Sequence, residues 1–313
     1  MSLQTKSSFS IEKSDFKPKE YHVPVMVEEA IEYLKIKENG IYIDGTLGSG
    51  GHSAEILSNI SLGKLIGLDR DAEALKTSKK RFSASAYPII FEKESYHKYL
   101  DVLKKNKIKS ADGILLDLGL SAMQLLSSNR GFSFKKNEKL DMRFDIDNGI
   151  NASLFLHQTS QQSLARIIKE YSDERFSSKI SKAIKTKEYL KTTYDLKKAI
   201  DQVTPPHKRS KTYARVFQSI RIAVNDELEK LKKFFSLFLL GLKAGSRAVF
   251  ISYHSIEDRI VKHSLKRLKN DGKIKILTKK PILPQRKEII INPKSRSAKL
   301  RAIEVLWEKE EDH

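Results

Sequence analysis

The chain has 313 residues, 39% of them hydrophobic, no cysteine, and 59 Lys and Arg against 39 Asp and Glu for a net charge of +20. That length serves one large domain or two modest ones, and the apolar content is that of a soluble fold. The absence of Cys excludes disulfides, iron–sulfur clusters, thiolate zinc sites and every thiol nucleophile.

The first twenty residues hold four Lys, three acids and no apolar core, so residues 1–20 read as a disordered, solvated tail and not a signal peptide. Val25, Val27, Ala30, Ile31 and Leu34 then recur at helical spacing, predicting a helix over 25–34. After Asn39-Gly40 comes a short strand over 41–43 ending at Asp44. A glycine-rich turn over 45–51 follows, then a helix from about His52 to Asn59. The same unit repeats as a strand over 65–68 ending at Asp69, with a helix from Ala72 to about Phe82. Next are a strand over 88–91, a helix over 99–105, and a strand over 113–116 ending at Asp117. Strands alternating with helices imply a parallel sheet covered on both faces.

The alternation stops after Asp117. Residues 127–212 carry helical patterns and no strand of comparable strength, up to Pro205-Pro206, which predicts an inserted all-helical subdomain. Strand–helix order resumes with a helix over 213–235, a strand over 248–253, a helix over about 256–268 and a final strand including 301–307. Ser255 with Asp258 reads as a helix capping box. The longest apolar stretch, Phe234 to Leu242, is broken by Ser236 and falls far short of the roughly 20 residues a bilayer helix needs. A cytoplasmic enzyme is the expectation. Charge is uneven: residues 262–301 carry 14 Lys or Arg against Asp271 and Glu288, as a surface for a polyanion would, and nucleic acid is the obvious one.

Gly48-Ser49-Gly50-Gly51 lets backbone amides and a helix N-terminus approach a ligand. Asp69, 19 residues beyond Gly50, stands where a carboxylate can accept from the ribose hydroxyls of an adenosine. That pair leaves NAD, FAD and S-adenosylmethionine open. Asp44 favours the last, since an acid beside the turn suits a sulfonium and an ammonium and would repel a pyrophosphate. The spacing from Asp44 to Gly48-Ser49-Gly50 is similar to the turn of methyltransferases that modify exocyclic amines of bases. Asp117, at the fourth strand end, is the candidate catalytic group. A carboxylate accepting an amine N–H favours the reactive geometry and aids proton loss. Without cysteine, nitrogen and oxygen acceptors remain and pyrimidine ring carbon does not. No metal motif is visible.

The strings HVPVMVEEA, GIYIDGTLGSGGHSAEIL, GLDRD, DGILLDLGLS, RGFSF, LDMRFD, ARVFQSIRIAVNDEL, SYHSIEDRIVK and NPKSRSAKLRAIE, in order from His22 to about Glu304, resemble the bacterial small-subunit (16S) ribosomal RNA cytosine-N(4) methyltransferase family. The resemblance implies a class I S-adenosylmethionine-dependent methyltransferase (Rossmann-like) sheet over 21–126 and 213–313, with 127–212 as the inserted helical substrate-recognition subdomain. It implies methylation of the exocyclic amine of a decoding-centre cytidine, a dimer, and an assembled small subunit as substrate. Donor contacts fall by the resemblance on Gly50, Gly51, His52, Asp69, Tyr96, Asp117 and Gln124, with Asp44 added from its place before the turn.

Arg130, Phe132 and Arg143 lie where cations interleave with aromatics after the fourth strand, a pattern able to hold phosphate around an extruded base. Arg221 lies on a polar helix stripe, and His254 ends a strand. Lys294, Arg296, Lys299 and Arg301 are the remaining candidate RNA contacts. The family pattern has an acid where Leu126 stands, a Pro at Lys139 and a longer loop between Lys269 and Pro281. Two other functions compete. One is an NAD-dependent reductase, for which Tyr194 and Lys198 have the right spacing in the wrong place. The other is a non-catalytic RNA-binding assembly factor on the same fold.

Overall fold

Short apolar runs that each lead into a helix cannot bury both faces alone, so they line up as parallel strands under two helical layers. The computed structural model describes residues 23–83, 88–126 and 129–307; the expected tail over 1–20 lies outside them. The first half contains α1 (Val27–Leu34), β1 (Ile41–Asp44), α2 (Gly51–Leu57), β2 (Lys64–Leu68), α3 (Ala72–Arg81), β3 (Ile89–Glu92), α4 (Tyr99–Lys105), β4 (Ala111–Asp117) and α5 (Ala122–Leu126). Helices α6 (Ala152–Gln158), α7 (Gln161–Ser172), α8 (Ser177–Lys185) and α9 (Thr193–Asp201) follow without a strand. The chain continues with α10 (Arg209–Asn225), α11 (Glu227–Leu237), β5 (Leu242–Ser252), α12 (Ser255–Asn270), β6 (Ile274–Ile276), α13 (Arg286–Ile291) and β7 (Lys299–Val305).

The seven strands stand in the order β3-β2-β1-β4-β5-β7-β6. The first five run parallel, and β7 runs antiparallel to both β5 and β6. Strand order reverses between β1 and β4, and at such a switch point a crevice opens beyond the carboxyl ends of the strands. Asp44 and Asp117 are the last residues of those two strands.

Alternating side chains feed the two faces of the sheet. Ile43, Ile66, Ile114, Leu116 and Phe250 pack with Phe234, Phe235 and Phe238 on one side. Tyr42, Leu65, Leu115, Val249 and Ile251 pack with Ala30, Leu34, Ile56 and Leu57 on the other. Each fully buried Leu, Ile or Phe contributes about 1.5–3 kcal/mol of transfer free energy. The helices of 152–201 bury a third cluster of their own, with Leu164, Ile168, Ile180, Leu196 and Ile200 meeting Val216 and Ile220 of α10. Among the described residues no helix is long and apolar enough to cross a membrane.

Three expectations need correction. The helix expected over 213–235 is two helices, broken at Asp226 with φ +51. At the break, the buried amide of Asn225 accepts from the backbone N–H of Phe144 and donates to the carbonyl of Met142, contacts that apolar spacing does not reveal. The cap of α12 is His254, whose Nδ1 accepts from the N–H of Glu257 at 3.3 Å, while Asp258 turns to Arg301 at 2.7 Å. The last strand ends at Val305, and β6 and α13 are additional elements too short for periodicity to show.

Candidate active site

The turn after β1 is built by its glycines and held by α3. Gly48 and Gly50 lie at φ +53 and +77, and a Cβ on Gly50 would sit 2.6 Å from the ring of Phe82. Ser78 donates to the carbonyl of Gly48 at 2.8 Å and Arg81 to that of Ser49 at 3.1 Å. Asp69, one residue past β2, accepts from the N–H of Gly48 at 2.8 Å and of Asp71 at 2.9 Å. Burial pushes its carboxyl up to about 6 in spite of those two donors.

Asp44 is 1% exposed. It accepts from the N–H of Thr46 at 3.1 Å and from the Ser53 hydroxyl at 2.7 Å, and burial raises its carboxyl. His52, in the first turn of α2, places Nε2 2.9 Å from the carbonyl of Val25. A carbonyl only accepts, so Nε2 carries the proton and Nδ1 faces Asp117 Oδ2, 3.8 Å away. Burial lowers this imidazole below its usual range, and the ring stays neutral.

Asp117 ends β4. Its N–H donates to Thr46 Oγ1 at 2.7 Å, and its Oδ1 accepts from the hydroxyl of Tyr253 at 2.7 Å. Burial pushes its carboxyl up to about 7, with the charges of Glu257 and Glu288 adding to the rise and the Tyr253 hydrogen bond opposing it. Tyr96 packs edge-on against Phe234, and Gln124 donates to Asp71 at 3.1 Å. These residues line one cavity of about 420 Å³, whose walls also include Gly51, Arg70, Phe144, Tyr253, His254, Glu257 and Lys294. Such a volume falls within the roughly 300–1,000 Å³ of small-molecule sites. Of the sequence-predicted donor contacts, Gly51, His52, Asp69, Tyr96, Asp117 and Gln124 form the wall, while Gly50 and the 1% exposed Asp44 do not line it.

The candidate RNA contacts divide. Arg130 is buried, its guanidinium on Asp71 and Glu73 and on the carbonyls of Arg143 and Phe144. Phe132 is buried and stacked on Phe144 at 5.6 Å. Arg301 is buried against Asp258. These three are internal struts and offer no free surface to a phosphate, a correction to the sequence reading. Arg143 grips Asp141 with two nitrogens at 2.8 Å each, and Arg221 grips Glu227 at 2.8 and 2.9 Å while lining the cavity. Lys299 shares Asp258 at 3.3 Å. His254 lies 3.0 Å from Glu257. Lys294 reaches the cavity wall with its Nζ buried and no hydrogen-bond partner. Arg296 is exposed.

Sequence reasoning missed Thr46, Tyr253 and Glu257. The last two lie in the SYHSIEDRIVK string, and they reach the site because β5 pairs beside β4, with Ile251 opposite Asp117. Leu126, where the family pattern has an acid, has no described side chain.

The MraW methylase family model matches residues 19–306. A protein of Thermotoga neapolitana called ribosomal RNA small subunit methyltransferase H is 45% identical over 298 residues, covering 92% of this chain and 97% of its own. The proteins of that name from Halothermothrix orenii and Petrotoga mobilis are 40% and 42% identical, covering 90% of this chain and 98% and 99% of theirs.

Proposed function

The chain belongs to the MraW methylase family, and from that premise we propose that it transfers a methyl group from S-adenosylmethionine to the exocyclic amine of a cytidine in small-subunit (16S) ribosomal RNA. The observation that carries the donor side is the set of acids at the carboxyl ends of β1, β2 and β4: Asp44, fully buried, with Asp69 and Asp117 on the cavity wall. Among the described residues no Lys or Arg lies within ion-pair distance of them. Such a crevice accepts a ligand that is cationic and rich in hydroxyl donors, and it repels a pyrophosphate.

The donor, held there, supplies an activated methyl on a positively charged sulfur. With the donor bound, Asp69 would accept from its ribose hydroxyls, Tyr96 would flank its base, and Gly51 with His52 would leave room for its amino-acid end. Asp44 sets the local potential negative. Asp117 faces the acceptor. As the amine nitrogen bonds the methyl carbon, the carbon–sulfur pair stays on sulfur and one amine proton leaves, with Asp117 Oδ2 as its acceptor. Arg296, exposed, is the cation offered to the RNA backbone, and the assembled subunit is the expected substrate form, with a dimer as the working state.

The test is incorporation of labelled methyl from S-adenosylmethionine into purified small subunits, followed by mass spectrometry of the nucleosides. N4-methylcytidine is the expected product. A methyl on another nucleoside would refute the amine assignment. NADH binding without S-adenosylhomocysteine binding would establish a reductase. Homocysteine-product binding without any incorporation would leave an assembly factor.

A further inference from the structure

Tyr253 is supported from two sides. Gly119, at φ +115, lies beneath its ring, so that a Cβ there would stand 3.1 Å from the ring edge. Its backbone N–H donates to Glu257 Oε2 at 3.1 Å. Asp117 is tied in turn through its own N–H to Thr46 and through strand pairing to β5. The 2.7 Å bond from the Tyr253 hydroxyl to Asp117 Oδ1 joins a residue that follows β5 to the end of its neighbour β4.

We propose that Tyr253 is a positioning residue for the transfer: by holding Oδ1 of Asp117 it turns Oδ2 toward the acceptor amine and keeps that carboxylate ready to take the amine proton. This rests on the reading of Asp117 as the acceptor-side group.

Oδ2 is the oxygen left for substrate. Its nearest neighbour of note is His52 Nδ1 at 3.8 Å, a nitrogen that has no proton to give because the ring N–H is spent on Val25. The Asp117 side chain is 23% exposed, so a substrate amine can reach it. Burial and the charge of Asp117 push the Tyr253 hydroxyl well above its usual range, so the phenol keeps its proton and donates throughout. In the step, one amine proton moves to Oδ2, Asp117 becomes a neutral acid, and the acid later returns that proton to solvent.

The surrounding charge makes the hydroxyl necessary. Asp44 from β1, Glu257 from α12 and Glu288 from α13 all oppose an ionised Asp117, the neutral His52 from α2 does not compensate them, and Lys294 lines the same cavity. A hydrogen bond to the charged form favours that form. Removing it lets Asp117 protonate at higher pH.

The test is Tyr253→Phe in the full chain, assayed on small subunits across about pH 5.5 to 9. The acid limb of kcat should move up by about one pH unit, so that the loss near pH 6 is about five- to tenfold greater than near pH 8.5. S-adenosylhomocysteine affinity should stay within about twofold. A uniform loss with an unmoved limb, or an unchanged profile, overturns the proposal. A second readout guards against damage to the fold. In ¹³C-carboxylate infrared spectra, the band that disappears in Asp117→Asn should titrate at higher pH in Tyr253→Phe than in the parent, and an unmoved midpoint overturns the proposal equally. The parent reading fails separately, if Asp117→Asn keeps full turnover.

Discussion

Two sets of acids in this protein differ in the partners the chain gives them. At the strand ends, burial pushes Asp44, Asp69 and Asp117 upward. Asp258 on α12 is also buried, yet Arg301 and Lys299 hold it below its ordinary range, and Asp71, the N-cap of α3 beside the site, is paired with Arg130. The residue type is the same; the second pair has cations from the chain itself. Asp258 and Asp71 meet cations of the chain itself, whereas Asp44, Asp69 and Asp117 have no Lys or Arg ion-pair partner among the described residues.

The comparison breaks most directly at Asp117. Asp117→Asn keeps the shape and removes the charge, and methyl incorporation should fall by about 100-fold or more, while S-adenosylhomocysteine, which has no sulfonium charge, still binds in calorimetric titration. Full turnover would return Asp117 to a purely structural role.

On the compensated side the expected effect is on stability. Arg130→Ala strands Asp71 in the interior and should cost about 3 kcal/mol in denaturant unfolding. The salt dependence of RNA binding by the folded protein should not change. A shallower salt slope with full stability would restore Arg130 as a phosphate contact.

A pH titration sharpens the contrast further. Asp69 and Asp117 titrate at about 6 and about 7 in the unliganded protein, so each binds a proton as pH falls through those values and loses the charge that attracts a sulfonium. Affinity for S-adenosylmethionine should therefore drop by about tenfold between about pH 8 and pH 5.5, and affinity for S-adenosylhomocysteine by clearly less. Parallel curves for the two ligands would contradict the electrostatic reading.

The smallest effect is expected at an exposed cation. Arg296→Gln should leave stability within about 0.5 kcal/mol and lower the salt slope of RNA binding by about one. An unchanged slope would remove Arg296 from the interface.

Much of the site is legible in the chain because its parts are local. The turn 45–51 is contiguous, and Asp44, Asp69 and Asp117 each follow an apolar run that ends where a parallel sheet opens its crevice. What was illegible came from distant partners. Tyr253 meets Asp117 across 136 positions, and Arg130 meets Asp71 across 59. Read alone, Arg130-Gly131-Phe132 is a basic, aromatic segment suited to RNA. In the fold Phe132 completes the cluster under the helices of 152–201, and Arg130 is drawn inward with it. The break at Asp226 was hidden as well, and beside it Asn225 bonds the backbone of 142–144.

The sequence by itself determined the strand–helix alternation up to Asp117, the glycine turn, the acids at the strand ends and the excess of positive charge, because periodicity, backbone freedom and charge count are properties of neighbouring residues. Only the tertiary structure decided which charges are neutralised, which oxygen of Asp117 is free and that a tyrosine holds the other. Hydrogen bonds and ion pairs act over a few ångströms, and which groups come that close depends on segments the sheet brings together from far along the chain.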